Sequence, residues 1–427
     1  MCLAPAQIKS TLFSHVNKGI KYDLDRMFKA SSLCDNPQNS YLSIHVAGTN
    51  GKGSTCAYIE SVLRHAGYKT GLYTSPHITN FEERFRIDGQ EINEDIWFDV
   101  YKDQEKVIND LDLTFFEAAT LMAFEIFKRA GVRYAIFETG MGGRLDATNI
   151  ITPKVSVITK LALDHCEYLG STLEAIAGEK LGIVKPGVPL VMLEPNDRRI
   201  KKLAVDKCVE LGSESVFSPA DITNGASGVT DVVCLDDGVS FCHDGRRYDL
   251  SMIGEYQVQN AVLALNALGR VDDFDYQVVY EGMKSAVLPG RFQIVNVQNQ
   301  QVVIDVGHNP DAAEALVGAL KKRFPNKRFS FVLGMMRDKD IDIVLKILTP
   351  CASAFYFTRP KTERAADPHG MMDLTDGKFD GRRIIIEDVG EAVGTALRDA
   401  VDTVNTIVCV TGSFFTVSES LTQIYSL

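Results

Sequence analysis

The stretch that decides the fold reads YLSIHVAGTNGKGS and covers residues 41–54. Its first half is a short apolar run typical of a buried strand, and its second half is a glycine-rich turn. Apolar residues then recur at helical spacing, at Cys56, Ile59, Val62, Leu63 and Ala66. Gly67 follows them, and glycine is common just past the end of a helix. The order of strand, loop and helix predicts the first unit of an α/β fold.

The loop 48–54 predicts a phosphate site, because successive backbone N–H groups and the dipole of the following helix converge on one point. Lys52 can reach the outer phosphates of ATP, and the Ser54 hydroxyl can approach a phosphate or its magnesium ion, as in Walker A loops. The spacing departs from the general motif, since Gly53 stands between Lys52 and Ser54. The alternative is a glycine-rich turn with a solvated Lys52 and with Ser54 as the helix N-cap.

Two series of alternating strands and helices follow along the chain, which predicts two domains. The first series has strands at 133–138, 155–159 and 188–193, with helices that begin at Thr114 and Ser171. The second has strands at 302–306, 329–333, 354–358, 383–386 and 406–410. We expect residues 1–288 to form a P-loop mononucleotide-binding domain with a mostly parallel sheet, and 289–427 a smaller Rossmann-like α/β domain. Residues 221–249 predict a β-hairpin excursion of the first domain.

Composition excludes several classes of function. The 427 residues are 45% hydrophobic and 24% charged, with 45 Lys and Arg against 56 Asp and Glu. No basic excess points to nucleic acid or to an acidic membrane surface. The nine cysteines form no C-x-x-C pair, which favours a reducing compartment. Residues 1–13 lack the pattern of a leader, and no run of about 18 apolar residues occurs, so we expect a cytoplasmic protein.

Several polar residues lie at predicted strand ends, the edge where open α/β sheets bind ligands. Glu138 precedes the glycine-rich residues 140–143 and is a magnesium-ligand candidate, although a solvated loop entry would look the same. From the sequence alone, residues 74–77 predict a proline-containing turn. His165 alone predicts an ordinary hydrogen-bonded histidine. Residues 114–117 have the spacing of a capping box, which needs no ligand.

Lys180 falls on the apolar face of a helix predicted to begin at Ser171, with Glu174 as its capping-box partner. That face is formed by Leu173, Ile176, Ala177 and Leu181. One interpretation is a lysine that buries its methylenes and extends its amine to water. The other is a desolvated amine with a lowered pKa, whose neutral form reacts with carbon dioxide to give a carbamate.

The second domain offers a polar segment at 305–311. Asn309 as N-cap and Pro310 at the first helical position explain themselves structurally, because Ala313, Leu316, Val317 and Leu320 then follow helical spacing. Asp305 and His308 have no such structural explanation.

The phosphate loop resembles that of the Mur-ligase superfamily, and its Lys-Gly-Ser resembles the folate branch, the folylpolyglutamate and dihydrofolate synthases. Matching segments in family order run from Ile20 to Ser413, including residues 74–77, 144–149, 254–261 and a hinge at 288–292. The resemblance implies an ATP-dependent ligase that adds L-glutamate to dihydropteroate, to the γ-carboxylate of folates, or to both, through an acyl phosphate. This reaction belongs to folate biosynthesis and polyglutamylation.

The resemblance also implies roles for individual residues. ATP would be bound by Thr49, Asn50, Gly51, Lys52, Gly53, Ser54, Asn260, Arg291 and Asp305. Magnesium ligands would be Ser75, Glu138 and His165. The pterin or folate would contact Ile20, Lys21, Tyr22, Thr114, Phe115, Phe116, Glu117, Leu145, Asp146 and Ala147. Glutamate would contact Asp305, His308 and Ser413, and the catalytic residues would be Lys52, Lys180, Arg291 and His308.

The implied cofactors are two magnesium ions, a monovalent cation and a carbamylated Lys180 that helps arrange the second magnesium site near His165. The implied partners are small molecules alone, namely ATP, L-glutamate and dihydropteroate or reduced folates, bound by a monomer with no nucleic acid and no membrane.

Two other classes compete with this interpretation. A murein-precursor amino-acid ligase is the nearest enzyme, but the phosphate loop begins at Gly48 and leaves no room for a preceding domain of about 100 residues that would bind a nucleotide-sugar. A P-loop switch or motor ATPase is the nearest alternative outside the ligases, and it would require partner-dependent hydrolysis. A binding module without catalysis is disfavoured, because the metal, phosphate and hinge positions are all filled.

Overall fold

The computed structural model of the chain describes residues 23–222, 228–401 and 405–425. The predicted pterin contacts Ile20, Lys21 and Tyr22 lie outside the described residues. Contacts divide the chain into two units: the described part of Met1–Ser227 with Gln259–Ala286, and Gly228–Val258 with the described part of Val287–Leu427.

The first unit is built on an eight-stranded sheet in the order β4-β3-β2-β5-β1-β6-β7-β8. Its strands are β1 Leu42–Ala47, β2 Thr70–Tyr73, β3 Phe85–Ile87, β4 Gln90–Glu91, β5 Tyr134–Glu138, β6 Val155–Ile158, β7 Leu190–Leu193 and β8 Ser215–Ser218. The six strands β2-β5-β1-β6-β7-β8 all run parallel to their neighbours. At one edge, β3 pairs antiparallel with both β2 and β4. The strand order reverses at β1, and such a switch point is where open α/β sheets bind ligands. The predicted mostly parallel sheet is confirmed.

Nine helices of the described residues accompany this sheet: α1 Asp25–Leu33, α2 Lys52–His65, α3 Glu94–Asp110, α4 Phe115–Ala130, α5 Cys166–Leu169, α6 Leu173–Leu181, α7 Arg198–Glu210, α8 Tyr256–Leu268 and α9 Tyr276–Ser285. Short 3-10 turns lie at Pro37–Asn39, Phe81–Arg84 and Ala147–Ile150. Helix α4 packs on the sheet through aromatic rings: Phe124 and Phe127 lie 5.2 and 5.7 Å from the ring of Phe137 in β5. Helix α9 packs closely on α2, because a Cβ at Gly282 would come within 2.5 Å of the Val62 Cα.

The second unit contains two sheets. A three-stranded antiparallel sheet, β11-β10-β9, is formed by β9 Val229–Leu235, β10 Gly238–His243 and β11 Arg246–Leu250. A six-stranded sheet in the order β12-β13-β17-β14-β15-β16 is formed by β12 Gln293–Val297, β13 Gln300–Ile304, β14 Arg328–Leu333, β15 Ala352–Phe357, β16 Arg382–Ile385 and β17 Thr406–Thr411. All its neighbours are parallel except β12 and β13.

The helices of the second unit are α10 Pro310–Arg323, α11 Ile341–Leu348, α12 Pro368–Asp373, α13 Val389–Val401 and α14 Phe414–Ile424, with a 3-10 turn at Thr349–Cys351. The five strands predicted after residue 289 are all present, and β12 is an additional one. The sequence pattern missed β12 because it forms a tight hairpin with β13, in which Gln298 and Asn299 take positive φ values of 47° and 66°. The predicted second α/β domain is confirmed.

The three-stranded sheet differs from expectation in its grouping. Its residues were expected to be an excursion of the first domain, but their contacts group them with the second unit. Strand β9 packs against α10, and Arg323 of that helix donates to the Asp236 carbonyl oxygen at 3.0 Å and pairs with the Asp236 carboxylate at 3.1 Å. The chain passes into the second unit again after Ala286, close to the proposed boundary at 288/289. Among the described residues no helix has the length and apolar character needed to cross a membrane.

Candidate active site

The glycine-rich loop follows β1, as predicted, and the sheet order places it at the switch point of the first sheet. Gly51 is the N-cap of α2 with φ 89°, and a Cβ there would lie 2.3 Å from the Asn260 side-chain oxygen. Thr49 fixes the loop, because its N–H donates to the Lys160 carbonyl oxygen at 2.8 Å and its hydroxyl to that of Ala162 at 3.0 Å. Ser54 lies buried in the first turn of α2 and is not the N-cap. The loop therefore turns tightly from β1 into α2, and the Asn260 side chain lies directly against it. Its role as a phosphate site stays a prediction.

Two lysines converge on one carbonyl of this loop. The Lys52 amine donates to the carbonyl oxygens of Gly48 and Thr49 at 3.3 and 3.2 Å. The Lys180 amine donates to the same Gly48 oxygen at 2.7 Å, and Lys180 is only 3% exposed. Burial and, after it, the charge of Lys52 lower the pKa of Lys180 from 10.5 to about 7. Lys180 is thus buried beside the phosphate loop rather than extended to water.

The start of the helix that carries Lys180 differs from the prediction. Helix α6 begins at Leu173, and its N-cap is Thr172, whose hydroxyl accepts from the Ala175 N–H at 3.2 Å. The predicted cap at Ser171 is wrong by one residue, because Thr172 has the extended backbone that a cap requires. Glu174 consequently makes no capping box and pairs with Arg199 at 2.8 Å.

Two of the three candidate magnesium ligands lie together. Glu138 ends β5 and is 4% exposed, and its carboxylate accepts from the Ser75 N–H at 3.2 Å. A hydroxyl and a carboxylate are hard oxygen donors that suit magnesium. His165 is the N-cap of α5 with φ 53°. Its backbone N–H donates to the carboxylate of the preceding Asp164 at 2.8 Å. Across the described ranges, no three His, Cys, Asp or Glu side chains are grouped as metal ligands. The donor types of Ser75 and Glu138 suit a magnesium ion, and the ligand roles of Ser75, Glu138 and His165 all stay predictions.

The segment 144–149 forms a rigid corner around a buried carboxylate. Asp146, 6% exposed, accepts from the Met141 N–H at 2.9 Å and from the N–H and hydroxyl of Thr148 at 3.1 and 2.5 Å. Burial raises the pKa of Asp146, and these hydrogen bonds oppose that rise. Asn149 ties the corner to α6, because its amide donates to the carbonyl oxygens of Arg144 and Gly182 at 3.0 Å each. Leu145 and Ala147 flank the carboxylate in sequence.

The predicted capping box at 114–117 is confirmed, with the Thr114 hydroxyl and the Glu117 carboxylate each accepting from the other's backbone N–H. Glu117 also pairs with Arg26 of α1 at 2.8 Å, which no spacing pattern could indicate. Phe116 lies against the glycine-rich segment, since a Cβ at Gly140 would meet its ring at 2.6 Å.

A buried arginine in this region was missed by the sequence analysis. Arg84 is 6% exposed, its Nε donates to His77 Nδ1 at 2.8 Å, and its guanidinium lies 5.1 Å from the centre of the Phe115 ring. The charged residues around it, Glu82, Glu83 and Arg86, form a pattern that by itself indicates an exposed loop and strand. The burial of Arg84 depends on aromatic neighbours that are distant in sequence.

The second unit has its own cluster of polar groups at the carboxyl end of β13. Asp305 is 6% exposed and accepts from the N–H groups of Phe292 and Gly307 at 2.9 and 2.7 Å. Burial raises the pKa of Asp305. The Nδ1–H of His308 donates to the Val306 carbonyl oxygen at 3.0 Å, which fixes the orientation of the ring.

Aromatic and capping contacts complete this cluster. Arg291 lies with its guanidinium 5.1 Å from the centre of the Phe414 ring. Asn309 and Ser413 are N-caps of α10 and α14, with side-chain oxygens that accept from Ala312 and Thr416 at 2.9 and 3.1 Å. The structural role predicted for Asn309 is confirmed. Ser413 has the same structural role, so its contact with glutamate stays a prediction.

Comparison with known proteins matches both parts of the chain to one family of domains. Residues 46–268 match the Mur ligase middle domain, and residues 290–414 match the Mur ligase glutamate ligase domain. The Escherichia coli dihydrofolate synthase/folylpolyglutamate synthase is 36% identical over 375 residues, which cover 87% of this chain and 84% of that protein.

Solved structures agree in fold over nearly the whole chain. A Mycobacterium tuberculosis folylpolyglutamate synthase complexed with ADP superposes with a TM-score of 0.91 at 29% identity, covering 98% of each chain. The E. coli FolC in complex with DHPP and ADP gives 0.86 at 32%, covering 100% of this chain and 98% of the other. A bifunctional folylpolyglutamate synthase/dihydrofolate synthase with Mn, AMPPNP and L-glutamate bound gives 0.84 at 32%, covering 99% and 98%.

Proposed function

We infer the reaction of this chain from its family: it belongs to the dihydrofolate synthase/folylpolyglutamate synthase family of Mur ligases. It is an ATP-dependent ligase that joins L-glutamate to a folate-type acceptor, and it uses a divalent metal ion. The observation that carries this inference is the phosphate loop at the switch point of the first sheet, with Lys52 and Lys180 both donating to the Gly48 carbonyl oxygen.

We propose that the acceptors are both dihydropteroate and reduced folates. The support is the corner around Asp146, whose buried carboxylate is an acceptor for the amino and ring N–H groups that all pterins present. Thr114, Phe115, Phe116 and Glu117 would border the ring, with Leu145 and Ala147 beside Asp146. Phe116 supports this, because its aromatic ring lies against Gly140, the neighbour of Met141, whose N–H donates to that carboxylate.

The first half-reaction would transfer the γ-phosphoryl group of ATP to the acceptor carboxylate and form an acyl phosphate. Positioning and charge neutralisation account for most of such catalysis. Lys52 would leave the loop carbonyls and donate to the outer phosphates, while the loop residues 49–54 would hold the triphosphate through the backbone N–H groups of residues 51–54 and the side chain of Ser54. Asn260 would contact the adenine. A magnesium ion held by Ser75, Glu138 and His165 would, when bound, neutralise charge on the phosphates.

Lys180 would act as a carbamate in this reaction. Its low exposure and its pKa of about 7 support a neutral amine that can combine with carbon dioxide. The anion would then lie beside Lys52 and would help to arrange a second magnesium ion. A monovalent cation is a further part of the proposal.

In the second half-reaction the amine of glutamate would attack the acyl carbonyl carbon, and inorganic phosphate would leave. We assign Arg291 and Asp305 to ATP, and Asp305, His308 and Ser413 to glutamate. The Nδ1 contact of His308 supports its role, because it fixes the orientation of the ring. We propose that the enzyme works as a monomer on small molecules.

The test is ATP-dependent incorporation of labelled L-glutamate by the pure protein, with dihydropteroate and tetrahydrofolate in separate reactions. We expect an amide product and stoichiometric ADP with both acceptors. Murein precursors with amino acids serve as one control, and ATP alone as the other. Turnover with a murein precursor, or acceptor-independent hydrolysis at the same rate, would contradict the proposal.

A further inference from the structure

A buried histidine lies behind the carboxylate of Asp146. His45 is in the middle of β1, 0% exposed, and its Nε2 lies 2.8 Å from the Thr148 hydroxyl oxygen. That hydroxyl lies 2.5 Å from Asp146 Oδ1. The three side chains form a line from the central strand of the sheet to the corner that carries Asp146. The function proposed above assigns a role only to the last of them.

The direction of each hydrogen bond follows from the number of protons available. An ionised carboxylate only accepts, so the single hydroxyl proton of Thr148 is donated to Asp146. The Thr148 oxygen must then accept from His45, which requires a proton on Nε2. Nδ1 of His45 is a bare acceptor, and within the described part of the chain it has no hydrogen-bond partner. The Nδ1–H tautomer would bury an N–H without a partner. It would also place the lone pair of Nε2 against a lone pair of the Thr148 oxygen.

The charge state of the ring is fixed by its surroundings. Burial and, after it, the charge of Lys185 lower the pKa of His45 from 6.5 to about 3. The histidine is therefore neutral at physiological pH and acts as a fixed donor. Its neighbours in the sheet, Phe137 of β5 and Ser156 of β6, hold the backbone at this position.

We propose that His45 is a positioning residue for pterin recognition, and that its Nε2–H orients the Thr148 hydroxyl toward Asp146. The inference rests on the proposed function, because it takes Asp146 to be the pterin-binding carboxylate. A carboxylate buried to this degree stays ionised and fixed only with several donors. A hydroxyl that accepts a hydrogen bond is a stronger donor than an isolated hydroxyl, because hydrogen bonds in a chain polarise one another. By fixing the Thr148 hydroxyl, His45 thereby keeps the Asp146 carboxylate in one orientation toward the ligand.

The test compares His45→Leu, which removes the donor, with His45→Gln, whose amide restores an N–H at the position of Nε2. We expect His45→Leu to raise the KM for dihydropteroate roughly tenfold, the equivalent of one lost hydrogen bond, with little change in the KM for ATP or glutamate. His45→Gln should recover most of that loss. Equal KM values for dihydropteroate in wild type and His45→Leu would overturn the proposal, and so would equal losses in both variants.

A double-mutant cycle with Thr148→Val tests whether the effect passes through Thr148. In a Thr148→Val background, His45→Leu should add little to the KM for dihydropteroate, because the relay is already broken. Fully additive effects would contradict the relay. His65→Leu is the matched control, since His65 is near the end of α2 and bonds to the Ser61 carbonyl oxygen. It should leave every KM unchanged.

Two further measurements separate a failure of this inference from a failure of the proposed function. Nitrogen-15 NMR of labelled histidine should show His45 as the neutral Nε2–H tautomer at neutral pH in the protein without ligands; an Nδ1–H tautomer would overturn the relay whatever the enzyme binds. Asp146→Asn should raise the KM for dihydropteroate by more than His45→Leu does. An unchanged KM in Asp146→Asn would instead overturn the pterin assignment on which the inference rests.

Discussion

Lys180 offers the sharpest test of the chemistry, because its reactivity can be worked out from its surroundings. With a pKa of about 7, about half of the Lys180 amines are neutral at pH 7. At the ordinary lysine pKa of 10.5 the neutral fraction would be roughly one in three thousand. The neutral amine that reacts with carbon dioxide is therefore enriched by on the order of a thousandfold. Forming the carbamate also replaces the repulsion between Lys180 and Lys52 by an attraction.

The assay is carbon-13 NMR in carbon-13 bicarbonate, combined with turnover measurements. Wild type should show a carbamate resonance that is absent in Lys180→Ala, and Lys180→Ala should lose activity that added formate or acetate partly restores. Lys185→Ala is the matched control: Lys185 is partly buried, donates to the Asn149 carbonyl oxygen at 2.8 Å, and should leave the resonance in place. The absence of a resonance in wild type, together with normal turnover of Lys180→Ala, would refute the reasoning.

The same pKa predicts how stability depends on pH when carbon dioxide is removed. The folded pKa of Lys180 is lowered, so between about pH 7 and 10.5 the unfolded chain binds more protons than the folded chain. Stability therefore rises with pH across that window, and below it the buried ammonium costs on the order of 5 kcal/mol. Lys180→Met, which keeps the length without the charge, should raise the Tm most near pH 7 and progressively less toward pH 10. A lower Tm than wild type at pH 7 would show that the ammonium is not a net cost.

Three other predictions address the remaining parts of the site. Lys52→Ala should abolish ligation with dihydropteroate and with tetrahydrofolate while leaving the far-ultraviolet circular dichroism unchanged; wild-type turnover would remove Lys52 from the mechanism. His308→Ala should raise the KM for glutamate or lower kcat, with ATP binding nearly unchanged in calorimetry; unaltered glutamate kinetics would contradict its role. Glu117→Ala should lower the free energy of unfolding in urea by about 2 kcal/mol, because a helix cap and the ion pair with Arg26 are both lost; Asp99→Ala, which breaks only the exposed pair with Lys102, should change it by under about 0.5 kcal/mol.

Local signals in the sequence were sufficient for much of the framework. The loop 48–54, the capping box at 114–117 and the Asn309-Pro310 helix start each depend on residues within a few positions of one another. The strands after residue 289 were likewise recognisable as short apolar runs, because a parallel sheet is buried on both faces. Even here the start of one helix was missed by one residue. Ser171 and Thr172 are both acceptable N-caps, and only the backbone conformation selects Thr172.

The features that escaped prediction depend on contacts between distant segments. The pairing of Arg26 with Glu117 joins residues separated by 91 positions, and His45 and Thr148 are separated by 103. In the sequence His45 is only a polar interruption of an apolar strand. Such an interruption is costly to bury unless it is hydrogen-bonded, so it already indicates that a partner exists, although not which one. Strand β1 lies at the switch point of the sheet, and His45 on it is separated from the Asp146 carboxylate by one side chain, that of Thr148. The central strand can thereby contribute to recognition without any of its own atoms contacting the substrate.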